Sequence, residues 1–292
     1  MSLKSVLIPP EADGMKVSLF LRSVLPDLPE SAFRKLFAAR DVKLDGVRVR
    51  KDDAVLPGQL LQAYLPDQPD FCREATLRIV YEDEDVLLVS KPAGISVESD
   101  GTGSVSLTEL CRIHLQSGNP SAAAPVPCHR LDNKTSGLCM FAKNEASLEI
   151  LKDAFRDRTV EKYYVCLVRG VPKPPSAVCS AYLLKDAAKG KVTVLDHPVP
   201  GAKPVVTGYD TLESGPVSRL RVHLVTGRTH QIRAHLAALG HPVLGDDLYG
   251  DRDFNRLRKA RSLKLCAVSL TVYTDNRLPR LEGKTFSITP PF

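Results

Sequence analysis

The sequence predicts an α+β fold: a largely antiparallel mixed sheet with flanking helices over residues 75–292, preceded by a small α/β module over 1–66 and a linker over 67–74. Three observations carry the prediction. Strand-like stretches such as Lys162 to Val168, Ser218 to Val225 and Leu265 to Tyr273 recur without the regular strand-helix alternation of a parallel sheet. The front of the chain reads instead as two short amphipathic helices and a hairpin. Between the two parts lies a stretch containing Pro66 and Pro69, with little core of its own.

In the front part, Val17, Phe20, Leu21, Val24 and Leu25 recur at helical spacing until Pro26 and Pro29 stop the pattern. A second helix follows, with Ser31 placed to cap it, Phe33, Leu36 and Phe37 as its buried stripe, and Arg34 and Lys35 on the other side. Val42 to Val49 alternates apolar and polar residues around Asp45-Gly46, a strong hairpin signal. Pro57-Gly58 then leads into a last strand, Leu60 to Leu65.

Beyond Ala75, Ser106-Leu107-Thr108-Glu109 is a capping box that opens one helix, and Asn144 can cap another whose Leu148, Leu151 and Phe155 share a face. A third helix is expected over Thr229 to Leu239, burying Ile232, Leu236 and Leu239, with Gly240 at its C-terminal end and Pro242 beyond. Val171 to Pro175 and Pro198 to Pro204 read as loops.

A chain of 292 residues, 43% hydrophobic, has material for two domains and a real core. No apolar run is long enough to span a bilayer and the start lacks a signal-peptide core, so a soluble, cytoplasmic, monomeric protein is expected. The seven cysteines are scattered without a Cys-x-x-Cys pair, which predicts reduced, mostly buried thiols rather than disulfides or a zinc site. The formal net charge of +6 is modest, and its clustering is more telling. Basic residues gather at Arg34-Lys35, at Arg48, Arg50 and Lys51, and from Arg252 to Lys264, with Arg256, Arg258, Lys259 and Arg261. Each cluster suits a solvated face or a nucleic-acid phosphate track.

The chemistry concentrates in His129-Arg130-Leu131-Asp132-Asn133-Lys134-Thr135-Ser136-Gly137-Leu138, where one carboxylate stands among basic residues beside a tight turn. Asp132 reads as a nucleophile that needs no metal or organic cofactor, or as a loop aspartate accepting hydrogen bonds from the turn. A second string runs from Leu224 through Thr226-Gly227-Arg228-Thr229-His230-Gln231-Ile232-Arg233-Ala234-His235, and Gly240-His241-Pro242-Val243-Leu244-Gly245-Asp246-Asp247-Leu248-Tyr249-Gly250 follows it. Together with Tyr81 to Gly94, these strings resemble the signatures of the RluA-type pseudouridine synthases, over a stretch from about Leu77 to about Leu270. The front module, over about Asp13 to Pro66, resembles the alpha-L RNA-binding module of a small-subunit ribosomal protein, with Arg40 where glycine is usual and Asp45 in place of the turn asparagine.

The resemblance implies the pseudouridine synthase fold and an enzyme that isomerises uridine in structured RNA without a cofactor or metal. It implies Asp132, Arg228 and Tyr164 as catalytic residues: Arg228 as the cation that holds Asp132 ionised, Tyr164 stacked on the target base, and Leu265 packing the base's other side. For Arg228 the competing reading is phosphate binding at the start of the following helix. Tyr163 competes with Tyr164, since alternation leaves only one of them to line the cleft. A uridine inside folded RNA must be turned out of the stack, and Arg130, assisted by His129, is expected either to fill the vacated space or to contact phosphate. Arg34, Lys35, Arg48, Arg50 and Lys51 are the expected RNA contacts of the module. By analogy, the partner is large-subunit (23S) ribosomal RNA ahead of transfer RNA. A metal hydrolase built on His223, His230, His235 and His241 fails, because the interval from His230 to His235 does not put two ligands on one helical face and no Glu accompanies them. A catalytically silent RNA-binding assembly factor is the remaining competitor.

Overall fold

The computed structural model describes residues 2–25, 30–65, 77–99, 105–186 and 190–292; the expected linker lies outside them. They fall into two compact units, one within 1–76 together with Glu98–Ser106, the other within 77–97 and 107–292.

In the front unit, β1 (Ser2–Leu7) leads through a 3-10 turn at Pro10–Ala12 into α1 (Val17–Val24) and α2 (Glu30–Ala38). The strands β2 (Val42–Leu44), β3 (Val47–Arg48) and β4 (Leu60–Leu65) complete an antiparallel sheet of order β1-β4-β2-β3. The apolar spacing explains the packing: Val17, Phe20, Leu21, Phe33 and Leu36 from the helices close over Val42, Leu44, Leu61 and Ala63. Asp45 and Gly46 both take positive φ (49° and 82°), as the primed hairpin turn requires, and Asp45 Oδ1 also accepts from Leu60 N at 2.8 Å. That bond ties the turn to β4. Arg40 adopts φ +59°, so the left-handed conformation survives where the resembled module has glycine. The unanticipated β1 is an edge strand with Leu3 and Leu7 exposed, which gives it no clean alternation.

The second unit contains β5 (Arg78–Glu82), β6 (Val86–Lys91), α3 (Leu107–Gly118), β7 (Val126–Pro127), β8 (Ser136–Ala142), α4 (Glu145–Asp157), β9 (Val160–Arg169) and β10 (Ser176–Asp186). There follow β11 (Lys191–Leu195), β12 (Lys203–Glu213), β13 (Val217–Leu224), α5 (Gln231–Ala238), α6 (Arg252–Leu257), β14 (Leu265–Val272) and β15 (Lys284–Ser287). One sheet runs β11-β10-β12-β13-β9-β14-β8-β6-β5, with β15 on β14 and β7 on β8. Its pairings are antiparallel except for β14 on β8, so the expected α+β class holds. The start of β12 at Lys203 overlaps the expected Pro198 to Pro204 loop, and α6 was not expected.

Every residue of β8 is buried because both faces of the sheet are covered there. Cys139 and Phe141 point into a core with Leu107, Cys111, Ile232 and Leu236, while Leu138, Met140 and Ala142 meet Leu151 and Ala154 of α4. Asn144 caps α4 as expected, its Oδ1 accepting from Ser147 N at 2.8 Å. Gly137 has φ +122°, and a Cβ there would lie 2.3 Å from Ala267 O. Only glycine allows β8 to approach β14 so closely. Among the described cysteines, Cys111, Cys139, Cys166 and Cys266 are buried, and all are free thiols.

Candidate active site

Asp132 stands in the loop between β7 and β8, and four ties fix the loop. Thr135 N donates to Asp132 O (3.0 Å), closing the turn, while Leu131 plugs into the core and Gly94 N donates to Asn133 O (2.9 Å). A further tie is Lys91, at the end of β6. Its Nζ donates to Asn133 O (2.8 Å), Ile95 O (2.7 Å) and Pro92 O (3.0 Å), although the side chain is only 1% exposed. Burial lowers the amine's pKa to about 8. Nothing in a Ser-Lys-Pro-Ala-Gly string distinguishes such a lysine from a solvated one at a strand end.

The cation on Asp132 is Arg233, not Arg228. Arg233 Nη1 lies 3.3 Å from Asp132 Oδ2, while its Nε and Nη2 donate to Asp246 Oδ2 (2.7 Å) and Oδ1 (2.9 Å). Arg228 lines the same cavity but is exposed, and its backbone N donates to Gln231 Oε1 (3.1 Å). The expected ion pair is therefore corrected, for a local reason. The helix begins at Gln231 rather than at Thr229, because His230 takes a left-handed φ of 53° and Gln231 folds under the turn. The buried Gln231 side chain accepts from Thr226 Oγ1 (2.9 Å) and donates to Val206 O and Thr207 Oγ1 (both 3.0 Å). This leaves Arg228 in an exposed turn and turns Arg233, in the first turn of α5, inward.

Asp246 is itself 1% exposed and also accepts from Leu248 N (2.8 Å) and Tyr249 N (3.1 Å). Burial pushes its carboxyl pKa up, but the Arg233 guanidinium and these N–H groups outweigh burial and hold it below the usual carboxylate range. His230 completes the frame. Its Nε2 is 3.9 Å from Asp132 Oδ1 and its Nδ1 is 2.9 Å from Tyr249 Oη. Burial keeps this imidazole below its ordinary pKa, against the charge of Asp132.

These groups open onto a cavity of about 810 Å³, also lined by Tyr164, Leu265, Arg130, Thr226 and Ile232, with room for a nucleotide. Tyr164 and Leu265 are buried, on the neighbouring strands β9 and β14. Tyr163 is instead stacked on His223 (4.8 Å between centroids), which settles the alternation in favour of Tyr164. Burial, with the charges of Asp132 and nearby groups, pushes the Tyr164 phenol above its ordinary pKa, so it carries its proton at neutral pH. Arg130 is exposed and lines the cavity. His129 is committed elsewhere. Its ring stacks on Phe155 (4.7 Å), its Nε2 accepts from Met140 N (3.1 Å), and burial, with the charge of Lys162, lowers its pKa to about 4. His129 lines the cavity beside Arg130, but its imidazole is held neutral and wedged against Phe155.

The four histidines considered for a metal are dispersed: His235 Nδ1 meets Thr207 Oγ1 and His241 Nδ1 meets Arg169 O, both at 3.0 Å. Among the described residues no three His, Cys, Asp or Glu side chains converge to hold a metal ion. No described helix is long and apolar enough to cross a membrane.

Residues 85–238 match the family model of the RNA pseudouridylate synthases. The chain is 32% identical over 255 residues to ribosomal large subunit pseudouridine synthase C of Vibrio vulnificus, covering 83% of this chain and 78% of that one. It is also 32% identical over 277 residues to the Escherichia coli protein of the same name, covering 87% and 82%. Among solved structures, human RNA pseudouridylate synthase domain containing 1 superposes with a TM-score of 0.60 at 29% identity, covering 74% of this chain and 84% of that one. A carboxylate gripped by a buried arginine, with a tyrosine lining the same nucleotide-sized cavity, thus sits within a matched stretch that spans most of the second unit, and the chain belongs to the RluA-type RNA pseudouridine synthases.

Proposed function

We propose that this enzyme isomerises uridines of large-subunit ribosomal RNA, with Asp132 as the reacting carboxylate, Arg233 as its cation and no cofactor. The observation that carries the chemistry is the Asp246–Arg233–Asp132 chain at the cavity, which puts a permanent positive charge and a fixed geometry on one carboxylate. Isomerisation breaks the bond between ribose C1′ and uracil N1, turns the base, joins C5 to C1′, releases the C5 proton and leaves N1 protonated in its place. Whether Asp132 attacks C1′, adds to C6 of the ring or removes a ribose proton, the electron pair comes from its carboxylate oxygen. Tyr164 and Leu265 are suited to hold the base between them while it turns, and Arg130 to occupy the gap it leaves in the RNA or to meet a phosphate. The names of the Vibrio and Escherichia relatives support the ribosomal target. Deleting the gene and mapping pseudouridine across all stable RNAs tests it: loss at large-subunit sites is expected, and loss confined to transfer RNA would overturn the target.

The front unit supports the same reading. Arg40, Arg48, Arg50 and Lys51 line a hollow of about 480 Å³ with Phe37, Ala38 and Val49, and Arg34 is exposed on α2. The side chain of Lys35 lies outside the described residues. Converting Arg48, Arg50 and Lys51 together to Gln is expected to make RNA affinity less salt-dependent, by roughly 0.7 to 0.9 in log–log slope for each phosphate no longer neutralised. An unchanged slope would mean that these residues do not touch phosphate.

Tyr164→Phe keeps the stacking face and removes a hydroxyl that is protonated at neutral pH. RNA affinity within about threefold of wild type is the expected result, since stacking carries the interaction. Comparison of turnover then shows whether the hydroxyl takes part in proton transfer, whereas a collapse of affinity would contradict the stacking role.

A further inference from the structure

The cavity holds a second set of charges that the reaction leaves unused. Arg156, Arg158 and Lys162 all line it. The guanidinium of Arg156 is matched by Asp153 and Asp157, but among the described residues neither Arg158 nor Lys162 forms an ion pair. Lys162 is 8% exposed, and its Nζ donates to Val160 O (3.2 Å) and lies 5.8 Å from the centre of the Phe155 ring. Burial lowers the pKa of this amine, and the charge of Arg158 lowers it further. A buried ammonium with a like charge for a neighbour and no carboxylate is an expensive arrangement unless an anion completes it. Arg158 is fixed for that purpose by backbone geometry. It closes α4 in a left-handed conformation (φ 65°), which puts it just before β9.

Position gives the anion's identity. Lys162 and Tyr164 are two residues apart on β9 and share a face, about 7 Å from one another along the strand. A uridine stacked on Tyr164 therefore has its own backbone within reach of Lys162. We infer that Lys162 and Arg158 form a phosphate subsite of the cavity that takes the phosphodiester next to the uridine being isomerised. The inference rests on the reading that the target base occupies this cavity. Arg158 supplies the planar fork at the exposed end, and Lys162 the point charge at the buried end.

The test pairs a charge on the protein with a charge on the RNA. A stem-loop carrying the mapped target uridine is made with single neutral methylphosphonate linkages at each position flanking that uridine, and KM and kcat are measured for full-length wild type, Lys162→Met and Arg158→Gln. For wild type, neutralising one particular linkage is expected to raise KM roughly tenfold or more. The same change should cost distinctly less in either variant than in wild type, because one of the two cations facing that phosphate is already gone. Both variants should raise KM on unmodified RNA more than they lower kcat. Should Lys162→Met fold poorly, Arg158→Gln, at an exposed position, reads the same cycle. Equal penalties in wild type and variants, or no sensitive linkage at all, would overturn the subsite and leave Lys162 as a packing residue on Phe155. Turnover of unmodified RNA by wild type tests the cavity reading separately.

Discussion

Asp132→Asn is expected to lower turnover on the order of 10³-fold or more, equivalent to about 4 kcal/mol of barrier. The substitution keeps the size of the side chain and leaves an amide oxygen to face Arg233, so the loop held by Thr135, Gly94 and Lys91 should stay in place. What disappears is the carboxylate electron pair on which the proposed chemistry draws. Affinity for RNA should be largely retained, since Asp132 contributes no positive charge. Release of the C5 hydrogen from labelled uridine RNA is the direct readout. Turnover within tenfold of wild type would remove Asp132 from the chemistry.

Arg233 should give the second largest effect, and it divides into two parts. Arg233→Gln strands Asp246, 1% exposed, without its cation, and breaking a buried pair in this way costs roughly 3–5 kcal/mol of stability. Arg233→Lys keeps the charge, but an ammonium cannot make two parallel bonds to Asp246 and still present an N–H to Asp132. Its turnover should fall roughly 10²-fold or more, as expected when a reacting group is no longer held in position. The double variant Arg233→Met with Asp246→Leu separates the parts, because replacing a whole buried pair by apolar residues is often neutral for stability. Its thermal unfolding midpoint should recover toward wild type while activity does not. Normal turnover by Arg233→Lys, together with an inactive Arg228→Lys, would return the cation's role to Arg228.

The arginine assignment shows where reading the sequence ended. Both arginines stand in one continuous string, and only the helix start separates them: a left-handed His230 and a buried Gln231 delay the helix by two residues, which periodicity does not resolve. Asp132, Tyr164 and Leu265 were singled out by the resemblance of their strings to the RluA-type signatures, and all three line the cavity. Lys91 and Asp246 were not, because what makes them important is a set of acceptors and donors distant in the chain, such as Asn133 O for the one and Arg233 for the other. Length alone did not make an element legible. The strand β10 is long but half-exposed with a weak alternation, and α6 buries no residue at all, so neither leaves the apolar stripe on which such readings depend.

The position of β14 has a consequence for how the molecule is made. It comes after every other strand of the large sheet except β15, yet it sits in the middle of that sheet, between β9 and β8, with Cys266 paired to Ser136. Until Leu265–Val272 leaves the ribosome, β5, β6 and β8 have no strand through which to join β9 to β13, and the edges that will receive β14 stay open. Leu265, one wall of the cavity, arrives with the same strand. A nascent chain therefore carries Asp132, Arg233 and Tyr164 for some time before the cavity they line is complete, and a messenger cut short before the codon for Leu265 yields a product in which the edges of β8 and β9 are unsatisfied and open to pairing with another chain.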